Sequence, residues 1–364
     1  MNLSVAKSFC ASSLRHYAPE LYRAIINSSV MTRRRVRRLK ESYLREARES
    51  LAQLNCGDSE RAIAEYGDAF DKYLIRWSEY WYQYDFPTLS ESERAEFISI
   101  REMRDLYARV NSEEERAIFD QKERFLADFA PYIRRRWLAV DSNTSPSAID
   151  ALLSSVDVIL KPNNWSHGVG VELIPRGSTT GVALKEKYCA TWDKGLVLEE
   201  RIVGCRELQS FHEPSLNTVR VVTFQRGGKS VVFGAVLRTG NENRVVDNVH
   251  GGGVFAQIDV ASGRVSSPGV NEFGEVFENH PYSGKRFVDA VVPHWDAVLS
   301  SCLSASRSLN QIPIVGWDVA IRADGEVEFV EGNGRPDFDL MQAPCRVGAR
   351  RRVFQTLSEL GVKY

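Results

Sequence analysis

The sequence predicts an α+β protein, with a helical N-terminal region over residues 1–110 and a mixed strand-and-helix region over 111–364. Three observations carry this reading. Apolar residues in the first third recur every three or four positions, the period of one helical face. From about residue 137 the apolar runs shorten and fill with Val, Ile, Leu and Phe, as strands do. After residue 196 these runs follow one another directly instead of alternating with helices, which favours a mostly antiparallel sheet.

The elements follow in order. In "VRRLKESYLREARESLAQL" the apolar stripe is Val36, Leu39, Tyr43, Leu44, Ala47, Leu51 and Leu54. Further helices are expected at 59–83, 91–109 and 112–131, with Ser90 and Glu93, and Ser112 and Glu115, spaced as capping boxes. The aromatic run "WSEYWYQYDF" (77–86) suits the closing of a helical bundle. "RRWLAVDS" reads as a strand. "SPSAIDALLSSV" reads as a helix capped by Ser145, with Pro146 in its first turn. "VDVILKP" is a strand that delivers Lys161. The runs "LVLEERIV", "TVRVVTFQ", "SVVFGAVLRT" and "VFAQIDV" come next, then the helix "PHWDAVLSSCLSASRSL" and a last hairpin. Residues 111–195 would form a smaller subdomain and 196–364 a larger one.

Composition bounds the function. The formal net charge of −1 gives no global pull towards nucleic acid. No run of 18 apolar residues exists, so no membrane insertion is expected. The six cysteines contain no CxxC pair, which fits a reduced, cytoplasmic protein rather than a disulfide framework or zinc site. The cationic run "TRRRVRRLK" precedes Glu41, Glu46 and Glu49 and reads as an ion-paired helix face.

The last hairpin, "GWDVAIRADGEVEFVEGNGRP", carries acids inside apolar strands. Asp-Gly favours a two-residue turn. With Asp324 and Gly325 as that turn, Asp318 lies directly opposite Glu331, and Asn333 continues on the same face with Ala320, Val327 and Phe329. Like charges opposed across a strand pair destabilise the sheet. A divalent cation between them removes the conflict, and these hard oxygen donors suit Mg²⁺ carrying substrate phosphates. An exposed hairpin with solvated acids, or an acid paired with Arg322, would explain the same residues.

Two earlier segments complement this hairpin. In "VILKPNNWSHGVGVELI" a strand ends on Lys161, and Gly168 and Gly170 follow in a loop whose backbone could approach an anion. In "LVLEERIVGCRE" a strand runs into Glu199 and Glu200, with Glu207 beyond. Each alone is also an ordinary strand end.

Together, and in this order, the three segments resemble the ATP-grasp superfamily from about Lys122 to the C-terminus. "SLNTVRVVTF", "DNVHGGGVFAQID" and "HPYSGKRF" resemble its sugar-transfer-associated branch. The separation of thirteen residues between Asp318 and Glu331, with Asn two positions later, is similar to that of D-alanine–D-alanine ligases. The resemblance implies an ATP-grasp fold, with ATP and Mg²⁺ as cofactors. Lys161 would contact the phosphates, with Lys122 as a second lysine, and Gly168 and Gly170 would lie in the phosphate loop. Glu200 would accept from the adenine amino group, the backbone of Arg201 and Val203 would complete the hinge, and Glu207 would bind ribose. Asp318, Glu331 and Asn333 would hold the metal, and Arg220, Arg238 and Asn248 would act on the reacting groups.

Two departures stand out. The position of the D-alanine ligases' catalytic arginine is Gly316 here, and the usual N-terminal α/β domain is replaced by a helical region. The implied chemistry is ATP-driven amide formation between a small-molecule or peptide carboxylate and an amine. A kinase acting on a hydroxyl, with His250, His280 or Asp337 as base, and a non-catalytic nucleotide-binding protein use the same residues.

Overall fold

The structure, a computed structural model, describes residues 30–54, 58–164, 170–188, 195–241 and 252–364. The chain forms two compact units. One comprises 1–110, 272–275 and 337–364; the other comprises 111–271 and 276–336. Residues 337–364, expected with the second region, therefore belong to the first.

In the first unit, α1 (Val30–Gln53) packs on α2 (Ser59–Tyr73). Ala47 and Leu51 of the expected stripe are fully buried, while Leu54 is exposed. The helix expected over 59–83 stops early. Leu74 takes a left-handed conformation, and a π-helical turn, Ser78–Gln83, follows. Trp77, Tyr80, Tyr84 and Phe86 are buried as an aromatic core, with Trp77 stacked on Tyr80 and Phe86 tilted against Tyr80 and Tyr84. The next helix is also split, into α3 (Glu91–Glu96) and α4 (Ile100–Val110). Ser90 and Glu93 close a full capping box at α3.

The second unit opens with α5 (Glu113–Asp120) and α6 (Lys122–Asp128), separated at Gln121, where one helix over 112–131 was expected. Ser112 caps α5 through the Glu115 N–H, but the Glu115 carboxylate turns away to the backbone of Asn310 and Gln311. A four-stranded antiparallel sheet then forms from β1 (Trp137–Val140), β2 (Val158–Pro162), β3 (Glu172–Ile174) and β4 (Leu196–Glu200), in the order β1-β4-β2-β3. Two helices, α7 (Pro146–Leu153) and α8 (Gly181–Tyr188), cover it with Ile149, Leu153 and Leu184.

After the short α9 (Arg206–Gln209) comes a seven-stranded antiparallel sheet. Its strands are β5 (Thr218–Arg226), β6 (Lys229–Thr239), β7 (Val254–Ile258), β8 (Gly269–Val270), β9 (Val276–Phe277), β10 (Ile314–Ile321) and β11 (Val327–Asn333), ordered β11-β10-β5-β6-β7-β8-β9. Helix α10 (Trp295–Arg307) packs on one face, against Val219, Val221, Trp317, Val319 and Phe329. Alternation along each strand therefore turns Arg220, Asp318 and Ala320 to the other face. The chain closes in the first unit with α11 (Arg350–Glu359), whose Arg350 forms a buried pair with Glu102.

Candidate active site

The hairpin of β10 and β11 sets the geometry. Its turn is not the expected two-residue loop. Arg322 and Glu326 close a three-residue loop, Ala323 to Gly325, with Gly325 left-handed at φ +86°. That loop alone would put Asp318 and Glu331 on opposite faces. A β-bulge between Asp318 and Val319 restores the pairing: Val319 pairs with Phe329, but Asp318 pairs with Glu331, and Val330 is the extra residue. The bulge also corrects the composition of the acids' face. Phe329 and Val327 pack into the core on the opposite side, and fully buried Glu328, the partner of Ala320, takes their place.

On the other side Asp318 pairs with Arg220 of β5, so one row across the sheet reads Glu331, Asp318, Arg220. Arg220 grips Asp318 with Nε and Nη2, the latter at 2.8 Å, and Arg238 Nη1 donates to Asp318 Oδ2 at 2.6 Å. Burial raises the Asp318 pKa, but the two guanidinium groups outweigh it and bring it down to about 2. Gly316 explains how Arg220 fits. A Cβ there would lie 2.7 Å from Pro336 Cβ and 3.2 Å from Arg220 Cδ. The arginine stem thus lies over the position that has no side chain, and the guanidinium reaches Asp318 from the neighbouring strand.

A second cluster joins the two sheets. Lys161 Nζ donates to Glu199 Oε2 at 2.9 Å. Arg135, a residue that pattern reading passed over, donates through Nε to the same oxygen at 2.5 Å. Its Nη1 reaches Glu328 Oε1 and the Phe329 carbonyl, both at 2.8 Å, and Nη2 reaches the Val330 carbonyl at 3.2 Å. Burial raises the pKa of Glu199, but Arg135 and Lys161 bring it below the ordinary carboxylate range. Lys122 stands at the start of α6, where the Asn163 backbone and side chain accept from the N–H groups of Lys122 and Glu123. This ties α6 to the end of β2 and brings Lys122 within the field of Glu331, Lys161 and Glu199. Burial lowers its pKa, and Glu331 partly offsets that.

Between the sheets lies a cavity of about 350 Å³, in the range of small-ligand sites. Charged groups at one end include Arg135, Lys161 and Glu199; apolar walls come from Ile159, Val171 and Leu216. The hinge segment Glu200, Arg201 and Val203 also lines it. Glu200 Oε2 accepts from Arg136 at 3.1 Å. The Arg201 N–H donates to Asp157 O, and the Val203 carbonyl accepts from Ala323 N–H. The hinge is thereby stitched to the tip of the acidic hairpin.

Lys122, Arg220, Arg238, Asp318, Glu331 and Asn333 are not among the residues that line this cavity, and some other expected residues are not brought to it either. Glu207 lies in α9 and does not line the cavity; Glu213 and Gln209 do. The reason is local: Gln209 Nε2 donates to the carbonyls of His212, Glu213 and Ser215, folding the following loop over the cavity instead. Gly170 is left-handed at φ +73°, as a glycine-dependent turn requires. Gly168, Asn248 and His250 lie outside the described residues. His280 is buried, its Nε2 3.0 Å from both Thr239 Oγ1 and the Gly240 carbonyl, and it does not line the cavity.

Among the described residues no three His, Cys, Asp or Glu converge as a closed cage. Mg²⁺ needs none, since one or two carboxylates plus phosphate oxygens suffice. A carboxylate offers about four lone-pair sites; the guanidinium contacts use three on Asp318, and Glu331, itself exposed, faces it from the edge strand β11. Asn333, two residues on, accepts from Arg335 N–H through Oδ1. The residues fit a cation shared with a phosphate.

Two antiparallel sheets on either side of a cavity of about 350 Å³, with opposed acids on one sheet and a lysine on the other, have the arrangement of an ATP-grasp fold. The sequence pattern of sugar-transfer-associated ATP-grasp proteins matches residues 101–357. The chain belongs to that family. No curated protein matches it. Among solved structures, the ATP-grasp ligase PsnB complexed with a minimal precursor is 16% identical, with a TM-score of 0.41, over 69% of this chain and 64% of that one. The chain thus spans less than two-thirds of PsnB. The D-alanine–D-alanine ligase of Bacillus anthracis is 14% identical, TM-score 0.40, over 71% and 72%. The N5-carboxyaminoimidazole synthase of Aspergillus clavatus is 10% identical, TM-score 0.38, over 69% and 57%.

Proposed function

We propose that the protein is a Mg-ATP-dependent carboxylate–amine ligase. The observation that carries this is the convergence of Arg220 and Arg238 on Asp318, with Arg238 paired across the ladder to Thr218 in the cavity wall. Fork-shaped guanidinium groups there suit a carboxylate or a transferring phosphoryl group. Adenine would lie between Ile159 and Leu216. The Arg201 N–H and Val203 carbonyl are engaged elsewhere, which leaves the Arg201 carbonyl and Val203 N–H for its edge. Lys161 and Lys122 would take the phosphates. Asp318, Glu331 and Asn333 would hold Mg²⁺, which supplies charge neutralisation on the phosphate oxygens.

In this reading a substrate carboxylate attacks the γ-phosphorus of ATP, and ADP leaves. An amine then attacks the acyl carbon, phosphate departs, and the amine loses a proton. The protein's own part is positioning and electrostatic stabilisation by Lys161, Arg220 and Arg238. The kinase alternative needs a base beside a hydroxyl. Of its candidates, His280 is committed to Thr239, Gly240 and Tyr282 and does not line the cavity, and His250 lies outside the described residues. Of the carboxylates that line the cavity, Glu199 is ion-paired with Lys161 and Arg135, and Glu200 with Arg136.

The test incubates the protein with Mg²⁺, ATP and pooled sugar acids, amino sugars, amino acids and short peptides, read by mass spectrometry. A mass equal to two pool members less water, with ADP, is expected. A pool member carrying a phosphoryl group, without condensation, would replace this reading with the kinase.

A further inference from the structure

We infer that Arg135 is a positioning residue that sets both halves of the phosphate site through one guanidinium. This rests on the nucleotide reading above. On one side, Arg135 and Lys161 share a single oxygen, Glu199 Oε2. Glu199 is buried between two cations, so its carboxylate is held on both sides, and the lysine ammonium is held with it. On the other side, Arg135 donates to the carbonyl of Val330. Val330 is the bulge residue, and the bulge is what places Glu331 opposite Asp318. The same guanidinium therefore links the phosphate lysine of the small sheet to the acid that faces Asp318 in the large one.

The clamp is built firmly. Glu328 Oε1 accepts from the backbone N–H groups of Arg134 and Arg135 at 3.0 and 2.8 Å, as well as from Arg135 Nη1. Arg322 holds its other oxygen at 2.6 Å. Arg135 is 3% exposed, so these bonds form away from competing water. A planar fork is needed because the acceptors lie in three directions: the Glu199 carboxylate, the Glu328 carboxylate and the carbonyls of β11. An ammonium on the same stem is a compact point charge without that fork.

The Arg135 guanidinium bonds Glu199, Glu328 and the carbonyls of β11 but none of Glu200, Arg201 and Val203, and this separates its role from general support of the hinge. Binding of Mg-ATP and of AMP would be measured by calorimetry for wild type, Arg135→Met, Arg135→Lys, Lys161→Ala and the double variant Arg135→Met/Lys161→Ala. Arg135→Met is expected to weaken ATP binding roughly ten- to a hundredfold and leave AMP binding within about twofold. Arg135→Lys should behave like Arg135→Met. Adding Arg135→Met to Lys161→Ala should weaken ATP binding by much less than it does in wild type, since the two act through one carboxylate.

Equal loss of ATP and AMP affinity would reduce Arg135 to a structural residue and overturn the inference. So would fully additive effects with Lys161→Ala, or full rescue by Arg135→Lys. Should Arg135→Met not fold, Arg135→Lys carries the same comparison of ATP with AMP. A wild-type protein that binds neither nucleotide would instead overturn the nucleotide reading, and this inference with it.

Discussion

Substituting Asp318→Asn isolates the electrostatics of the central row. In the folded protein this carboxylate accepts from Arg220 and Arg238, and its pKa falls from 3.8 to about 2. That shift, at 1.36 kcal/mol per unit, corresponds to about 2 kcal/mol in favour of the ionised folded form. The folded pKa is the lower one, so the contribution is present above about pH 4 and is lost as pH falls towards 2. Between pH 5 and 3 the wild type should lose about 1 kcal/mol from this group alone. In the variant a neutral side-chain amide would turn its own donor towards two buried guanidinium groups, and breaking one side of a buried pair costs about 3–5 kcal/mol. Urea unfolding followed by circular dichroism, for both proteins at pH 7, 5 and 3, reads both quantities. The variant should be less stable at pH 7, and the gap should narrow by about 1 kcal/mol at pH 3. A gap that stays constant from pH 7 to pH 3 would refute the reasoning, because it would mean that Asp318 is not held ionised by the two arginines.

Other tests probe the surroundings of this row. Gly316→Ala places a Cβ 2.7 Å from Pro336 and 3.2 Å from the Arg220 stem, so a loss of about 1–3 kcal/mol is expected from overpacking; an unchanged urea midpoint would show that Pro336 yields freely. His280 accepts from the Tyr282 N–H through Nδ1, and burial brings its pKa down from 6.5 to about 4. The unfolded chain takes up this proton first, so stability should decline as pH falls from 6.5 towards 4. His280→Gln should flatten that decline, and identical pH profiles for the two proteins would count against it.

The sequence made some parts of the site easy to find and hid others for physical reasons. Lys161 sits at the end of an unmistakable apolar strand, and Lys122 stands far before it in the chain, joined only by folding, through Asn163. Arg135 was hidden by its neighbours: in "RRRW" one arginine is buried and the adjacent two are not, and alternation cannot choose among them before the strand register is known. Glu207 looked suitable from its distance to the hinge. The loop that reaches the cavity is instead decided by three carbonyls that converge on Gln209, a contact without sequence periodicity.

The hairpin shows how a correct pairing can follow from an incomplete premise. Asp318 and Glu331 face each other, but through a three-residue loop and a bulge rather than a two-residue turn. The parity of the sequence required this. Trp317, Val319 and Ile321 are apolar and must turn inward, which sends Asp318 outward. On the partner strand Val327, Phe329 and Glu331 are all two apart, so an unbroken strand would put all three on one face. Phe329 packs against Trp317 in the core, and an ionised Glu331 cannot follow it there without a partner. One extra residue between them resolves the conflict, and Val330 is that residue. Its carbonyl is then turned out of the ladder, where Arg135 receives it. A bulge that opposes two carboxylates would otherwise leave like charges side by side. In this hairpin the opposition is balanced by Arg220 and Arg238 on Asp318. The cationic residues proposed to serve the chemistry are thus the same ones that let the acidic face fold.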